Sequence, residues 1–359
     1  MRIINDLHLG VVRKTGVTQS SREALREYLF ERFTSLLDVG EIKRLLILGD
    51  LFDQFEVAPR DWFLAYSKLV ELISRTKCHV TLVAGNHDFS PKAFRMSSFQ
   101  MLAGVLQEQH KELIQVVHVN DLRLIRDGVW ALAHCDNQEV FDQKLEEAMS
   151  RLGSGELLLL HANYNNPFTE QVDHSLNVSE QVAQQFSDKG IRLVLAHEHQ
   201  GKVVPPRGAQ QGAASIIILG NQIPTSIADC LGNSDKSFCE IGDNNEINFV
   251  HCWSIQHDDG LDQIDWRSLD NAGPTRKFVR VIGDATSSEA GEVVNAIHKF
   301  RQRSDAFIIS NAARVAGIVD VDELPEAFEA AKTFDVLEFV FSQLDSAEQE
   351  AIKQLVEDL

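Results

Sequence analysis

The feature that most constrains this chain is a short, uninterrupted apolar run that ends on polar side chains able to bind a cation. It recurs as "RLLILGD" ending in Asp50, "HVTLVAGNHD" ending in Asn86, His87 and Asp88, "GELLLLHANY" passing through His161, and "IRLVLAHEHQ" passing through His197 and His199. A shorter run at the start, "RIIND", leads into Asp6 and His8. Such runs are too short for ordinary helices and lack the alternation of a strand with one wet face. They suit strands covered on both sides. Between them, Leu25, Tyr28, Leu29, Phe33, Leu36 and Leu37 recur at helical spacing before Gly40, and residues 61–75 do the same. Strands and helices that alternate in this way specify a layered α/β fold.

Local signals refine the order of elements. Ser20, Ser21, Arg22 and Glu23 read as a capping box that starts the first helix, and Asn177 with Glu180 as the cap of a short helix closed by Gly190. Residues 122–133 read as a hairpin turning at Asp127-Gly128, so antiparallel strands join the sheet. A β-rich end around Gly242 to Asn245 closes this region near Trp253. The polar stretch 256–276 reads as a linker. Beyond it, residues 277–332 carry a strand-helix-strand pattern, and residues 333–359 are expected to form C-terminal helices.

The chain has 359 residues and is 44% hydrophobic, enough for one large core and a second, smaller unit. No apolar stretch approaches the ~20 residues of a membrane helix, and strand-like sequence from Met1 leaves no room for a signal peptide, so a cytoplasmic location is expected. The five cysteines form no Cys-x-x-Cys pair, which argues against a disulfide framework or a structural zinc site. Acidic residues outnumber basic ones, 53 to 34, for a net charge of −19. Such a surface repels phosphate backbones at long range, so any nucleic-acid contact must be local.

In open α/β sheets, groups just past the carboxyl ends of strands converge on one crevice. The strand ends here would bring Asp6, His8, Asp50, Asn86, His161, His197 and His199 together, with His87 to spare. The two-residue spacing of Asp6/His8 and His197/His199 would point each pair to one side of extended chain. Carboxylate, amide oxygen and imidazole without thiolate suit manganese, iron or zinc rather than a calcium cage. The set exceeds one tetrahedral site, and two ions sharing Asp50 would use it fully. Ions ~3.5–4 Å apart form the clamp used in phosphoryl chemistry.

Asp-x-His, Gly-Asp, Gly-Asn-His-Asp, a lone His and His-x-His, in this order, resemble the calcineurin-like metallophosphoesterases over residues 1–255. The resemblance implies a layered two-sheet fold, a β-sandwich flanked by helices. It also implies one ion on Asp6, His8, Asp50 and His199 and another on Asp50, Asn86, His161 and His197. Mn²⁺ is the first choice of metal, with Mg²⁺, Fe or Zn as alternatives. His87 would stabilise the transition-state charge and protonate the leaving oxygen, with Asp88 or another carboxylate supporting it.

"GDLFD", "LGNQIPTS" and the added C-terminal unit are similar to SbcD-type DNA exonuclease subunits and their phage relatives. That likeness implies a smaller C-terminal α+β capping domain, DNA as substrate, an SbcC-like coiled-coil ATPase partner in DNA repair or recombination, a possible homodimer, and the cytoplasm of a bacterial cell or phage-infected host. Endonuclease activity stays open, as does a phosphatase or cyclic-nucleotide phosphodiesterase with the same centre, or a scaffold without activity. Asn5 departs from the small residue frequent before Asp-x-His, and Ala196 from the usual Gly before His-x-His.

Asp53 and Asp88 are expected to orient neighbouring groups rather than ligate. His134 follows "VWALA" and reads as an ordinary strand-end histidine. Arg13 and Lys14 in "VVRKTG", and Lys299, Arg301 and Arg303 in "HKFRQR", are the candidate DNA-backbone contacts, equally readable as solvated faces. The apolar positions Val336, Leu337, Phe339, Val340 and Leu344 would dock a partner or pack within their own unit.

Overall fold

The computed structural model describes residues 1–11, 19–89, 95–166, 175–205, 215–231, 235–254, 260–273 and 277–315. Arg13, Lys14, the last part of the expected capping unit and the expected C-terminal helices, with Val336 to Leu344, lie outside the described residues. In chain order the strands are β1 (Arg2–Ile4), β2 (Arg44–Leu48), β3 (His79–Val83), β4 (Ile114–Val117), β5 (Leu122–Arg126), β6 (Val129–Leu132), β7 (Leu157–His161), β8 (Asn163–Tyr164), β9 (Asn177–Val178) and β10 (Arg192–Ala196). There follow β11 (Lys202–Val204), β12 (Ile216–Ile218), β13 (Lys236–Ile241), β14 (Ile247–Trp253), β15 (Leu261–Asp265), β16 (Phe278–Ile282), β17 (Asp284–Ala285), β18 (Ile308–Asn311) and β19 (Arg314–Val315). The helices are α1 (Gln19–Asp38), α2 (Pro59–Thr76), α3 (Ser98–Gln109), α4 (Gln138–Arg151), α5 (Glu180–Asp188) and α6 (Ala290–Arg303).

Two six-stranded sheets form the main body, ordered β14-β13-β1-β2-β3-β4 and β11-β12-β10-β7-β6-β5. The apolar runs are parallel strands within each sheet; antiparallel strands close both edges of the second sheet and one edge of the first, whose other edge, β4, runs parallel to β3. The hairpin at Asp127-Gly128 joins β5 to β6 as its turn chemistry requires. Side-chain alternation then sorts the second sheet into layers. Leu157, Leu159, Val194 and Ala196 enter the core shared with the first sheet, whereas Leu158, Leu160, Leu193 and Leu195 pack beneath α4 and α5. Each fully buried leucine contributes about 1.5–3 kcal/mol, so slipping either strand by one residue is strongly disfavoured. All five cysteines are free, and among the described residues no helix is long and apolar enough to cross a membrane.

Several local expectations are corrected. α1 already includes Gln19, so Ser20 sits inside the helix rather than capping it. α5 is capped by Ser179, whose hydroxyl accepts from Val182 N at 3.3 Å. Asn177 belongs instead to β9, and its Oδ1 accepts from Asn166 N at 2.8 Å. The segment read as a linker contributes β15, parallel to β16, and a 3-10 turn over Trp266–Asn271. Its polar composition hid Trp266 and Leu269, both buried in the small third core with Val279, Val281, Val293 and Phe300.

This C-terminal unit is a parallel sheet ordered β15-β16-β18 with α6 in the connection between its last two strands. It is not loosely tethered. Phe278 and Phe307 reach the main core, where Tyr28 of α1 stacks on Phe307 at 4.5 Å between ring centroids and meets Phe278 edge-on at 5.9 Å. Phe307→Ala should therefore destabilise the whole protein by about 3–5 kcal/mol. The check is the urea midpoint, and an unchanged midpoint would show that the unit does not share the main core.

Candidate metal centre

The residues past the strand ends do converge. Among the described residues, one ligand atom each from Asp6, Asp50, His161 and His197 lies within 4.8 Å of the others, and the same holds for Asp6, His8 and His199 and for His8, Asp53 and His87. Asn86 joins through Oδ1, 2.9 Å from His161 Nε2. Asp6 is common to the first two groups, and Asp50 Oδ2 lies 3.3 Å from His161 Nε2 and 4.0 Å from His8 Nε2.

The backbone reaches this arrangement differently from the expected extended chain. β1 ends at Ile4, β2 at Leu48 and β10 at Ala196, and the next residues turn into the left-handed region: Asp6 at φ 50°, His8 at 46°, Asp50 at 49° and His197 at 85°. The spacing of two is thus not a strand period. A left-handed residue costs up to about 1–3 kcal/mol, least for Asp, Asn and His, which suits these residue types. Two glycines make room. A Cβ on Gly49, itself at φ 77°, would lie 2.1 Å from His161 Nδ1; one on Gly85 would lie 2.2 Å from Asp50 Oδ1 and 2.5 Å from Asp50 N.

Each carboxylate is held by one oxygen. Asp6 Oδ2 accepts from Asn5 Nδ2 at 2.6 Å and from His197 N at 3.0 Å, and Asp50 Oδ1 accepts from His87 N at 3.0 Å. Their other oxygens, Asp6 Oδ1 and Asp50 Oδ2, are buried without a hydrogen bond. Buried acceptors in that state are costly unless a cation satisfies them. The imidazoles report the same demand. Burial alone would lower the pKa of His161, but Asp50 and Asp6 outweigh it and raise it to about 9. Burial takes His8 down to about 4 despite Asp50, keeping its ring neutral as a ligand must be. His8 Nε2 and His199 Nε2 are 3.2 Å apart, close enough to share one ion. The donor set therefore fits divalent cations.

Supporting contacts fix these groups. Asp88 Oδ2 accepts from Asp50 N and Gly85 N, both at 3.0 Å, tying two strand-end loops together. Burial and the nearby Asp50 raise its pKa to about 7. His87 is held by the main-chain oxygen of Asp53, 2.5 Å from Nδ1, and not by the Asp88 carboxylate; the Asp53 side chain lies instead 3.4 Å from His8 Nδ1. With Nδ1 so occupied, His87 Nε2 faces Asp50 Oδ2 at 3.9 Å. His134 ties β3 to β6, its N donating to Ala84 O at 2.9 Å.

Sequence reasoning missed Asp229, whose Oδ1 meets His199 Nδ1 at 2.8 Å while Oδ2 accepts from Thr225 N at 2.7 Å, Thr225 Oγ1 at 3.0 Å and Ser226 N at 3.0 Å. This bond orients the ring so that Nε2 faces the cluster. The only sequence signal is Thr225-Ser226 three to four residues earlier, a common turn pattern. Of the candidate DNA contacts, those on α6 lie among the described residues. Arg301 donates to Ile309 O at 3.3 Å and Arg303 to Asp270 O at 2.9 Å and to Leu269 O, while Lys299 is exposed.

Together, the layered fold and this cluster define a metal-dependent hydrolase of phosphate esters. Residues 2–201 match the calcineurin-like phosphoesterase family, and the chain belongs to that family. A search of the curated proteins found no match. Among solved structures, a dimetal phosphatase from Danio rerio is 11% identical, with 70% of this chain and 98% of that chain covered at a TM-score of 0.30, and at that level it adds nothing to the family match. The family and the cluster fit two divalent ions.

Two substitutions test the support of the site. Asp229→Asn keeps the shape but removes the charge behind His199, and should weaken Mn²⁺ binding about 10–100-fold by titration calorimetry. Gly85→Ala should displace Asp50 itself, because backbone as well as side chain obstructs the new methyl group. Its folded fraction should bind fewer ions per chain by atomic absorption.

Proposed function

We propose that this phosphoesterase cleaves DNA phosphodiesters, as the exonuclease subunit of an SbcCD-like repair or recombination complex. Asp6, His8, Asp50, Asn86, His161, His197 and His199 would hold the two ions, Mn²⁺ first among the candidates. The observation that carries the hydrolytic chemistry is the pair of half-satisfied carboxylates, Asp6 and Asp50, whose free oxygens are buried amid imidazoles. The choice of DNA is supported by the resemblance to SbcD-type subunits and by the strand-helix-strand unit fused to the core.

Bound divalent ions supply Lewis acidity, which polarises phosphate oxygens and lowers the pKa of water. The chain's own part is positional. Asp50 and Asp6 present one oxygen each, Asp88 fixes the Asp50 loop, and Asp229 fixes His199. His87 carries the proton. Burial opposes its charged form, but Asp50 and the Asp53 carbonyl raise its pKa, so Nε2 can donate to the departing sugar oxygen while Nδ1 stays anchored.

A phosphatase or cyclic-nucleotide phosphodiesterase is the second reading. It is favoured by the engagement of Arg301 and Arg303 with internal carbonyls and by the net charge of −19, both of which leave fewer cations for a long phosphate backbone. The partners proposed on the first reading are an SbcC-like ATPase and a second copy of this chain.

End-labelled DNA with Mn²⁺ separates the two readings. Cleavage should vanish with chelator and return with Mn²⁺, and His87→Ala should lose about 10²–10⁴-fold in rate while keeping its metal. Turnover of bis-nitrophenyl or nitrophenyl phosphate with DNA left intact, alone and with the ATPase subunit, would give the site to the small-ester reading.

A further inference from the structure

Asn5, which departs from the family pattern, and Gln222, in the "LGNQIPTS" segment, lie 217 residues apart in sequence yet meet at the back of the centre. Both are at most 1% exposed, so water does not satisfy their amides. Their hydrogen bonds fix one another. Asn5 N–H requires an acceptor and finds Gln222 Oε1 at 2.7 Å. That turns Gln222 Nε2 towards Asn5 Oδ1 and Gly220 O, each at 3.0 Å. With Oδ1 thus committed, Asn5 must present Nδ2 on its other side, where it donates to Gly220 O at 2.8 Å and to Asp6 Oδ2 at 2.6 Å.

Flipping either amide would oppose donor to donor and acceptor to acceptor, so the backbone of residue 5 dictates which oxygen of Asp6 is occupied. His197 N adds a second donor to that same oxygen at 3.0 Å. The consequence is Asp6 Oδ1, buried, unpartnered and facing the cluster.

We propose that Asn5 and Gln222 are a positioning pair that orients the Asp6 carboxylate for its cation. The inference rests on the reading of Asp6 as a metal ligand. Ligand-orienting groups of this kind are worth about 10–100-fold in metal affinity. Because the two amides act as one unit, losing either should cost nearly as much as losing both.

The test titrates Mn²⁺ into the full-length, chelator-treated protein by calorimetry, comparing the native chain with Asn5→Asp, Gln222→Glu and the double variant. Asn5→Asp keeps the acceptor for Gln222 but replaces the donor to Asp6 with a second carboxylate. Gln222→Glu keeps the acceptor for Asn5 N–H but loses the donor that sets the Asn5 amide. The native chain should bind two ions. Each variant should bind at least one of them about 10–100-fold more weakly, with the double variant no worse than the weaker single one.

A pair that merely staples β1 to the segment after β12 would lower the unfolding midpoint of the metal-free protein and leave both affinities at native values. That result, or failure of both single variants to fold, would overturn the proposal. Absence of two-ion binding in the native chain would instead overturn the metal reading on which it stands.

Discussion

Everything at this centre follows from the burial of several carboxylates in one place. Asp6, Asp50 and Asp88 are each at most 1% exposed. Burial on its own drives Asp50 and Asp88 towards the neutral acid. The protein resists this unequally. Asp50 is held well below the usual carboxylate range because His161 and the other imidazoles overcome its burial, while Asp88 beside it is pushed up to about 7. One anion is thus kept and its neighbour relieved. Donors from Asn5, His197 and His87 reach one oxygen of Asp6 or Asp50 only, leaving the other oxygen to a cation.

That division has to be built from both halves of the chain. The first sheet ends in Asp6, His8, Asp50, Asn86 and His87, the second in His161, His197 and His199. Neither half holds a complete set. Bonds across the seam align them: His161 Nδ1 lies 3.2 Å from Leu48 O, and His197 N reaches Asp6 Oδ2. Gly49 lets the His161 ring approach, and the shared leucine and isoleucine core supplies the driving force for closure. The same packing that folds the molecule assembles its chemistry, which is why left-handed backbone at the strand ends can be tolerated there.

The strands and the ligand-type residues were legible because continuous apolar runs and their polar ends are local signals. The Asp127-Gly128 hairpin was legible for the same reason. Features that depend on distant partners were not. Asp229 stands in a segment with no metal motif and acquires its role only when the 3-10 turn over Ala228–Cys230 brings it to His199. Strand β15 looked like a linker because its polar residues outnumber the two apolar ones that matter, and its pairing with β16 is decided in space. The two-residue spacing of Asp6 and His8 suggested extended chain, since spacing alone cannot distinguish a strand from two left-handed residues separated by one ordinary residue. Asn5 looked like a mild departure from a pattern until Gln222 stood beside it.

The acidic total is compatible with an anionic substrate if charge is considered by distance. At physiological salt, exposed charges are screened beyond about 8 Å, so most of the −19 acts on a substrate only weakly once it is at the surface. What remains is decided locally. Without ions the centre is an anionic hollow that pulls His161 towards its charged form. With two divalent ions held there, the carboxylates of Asp6 and Asp50 would be outweighed, and the centre would attract an anionic phosphate despite the acidic total. Guanidinium groups such as those of Arg301 and Arg303 act as internal struts, and recruitment of a phosphate would then fall to the cations the centre holds.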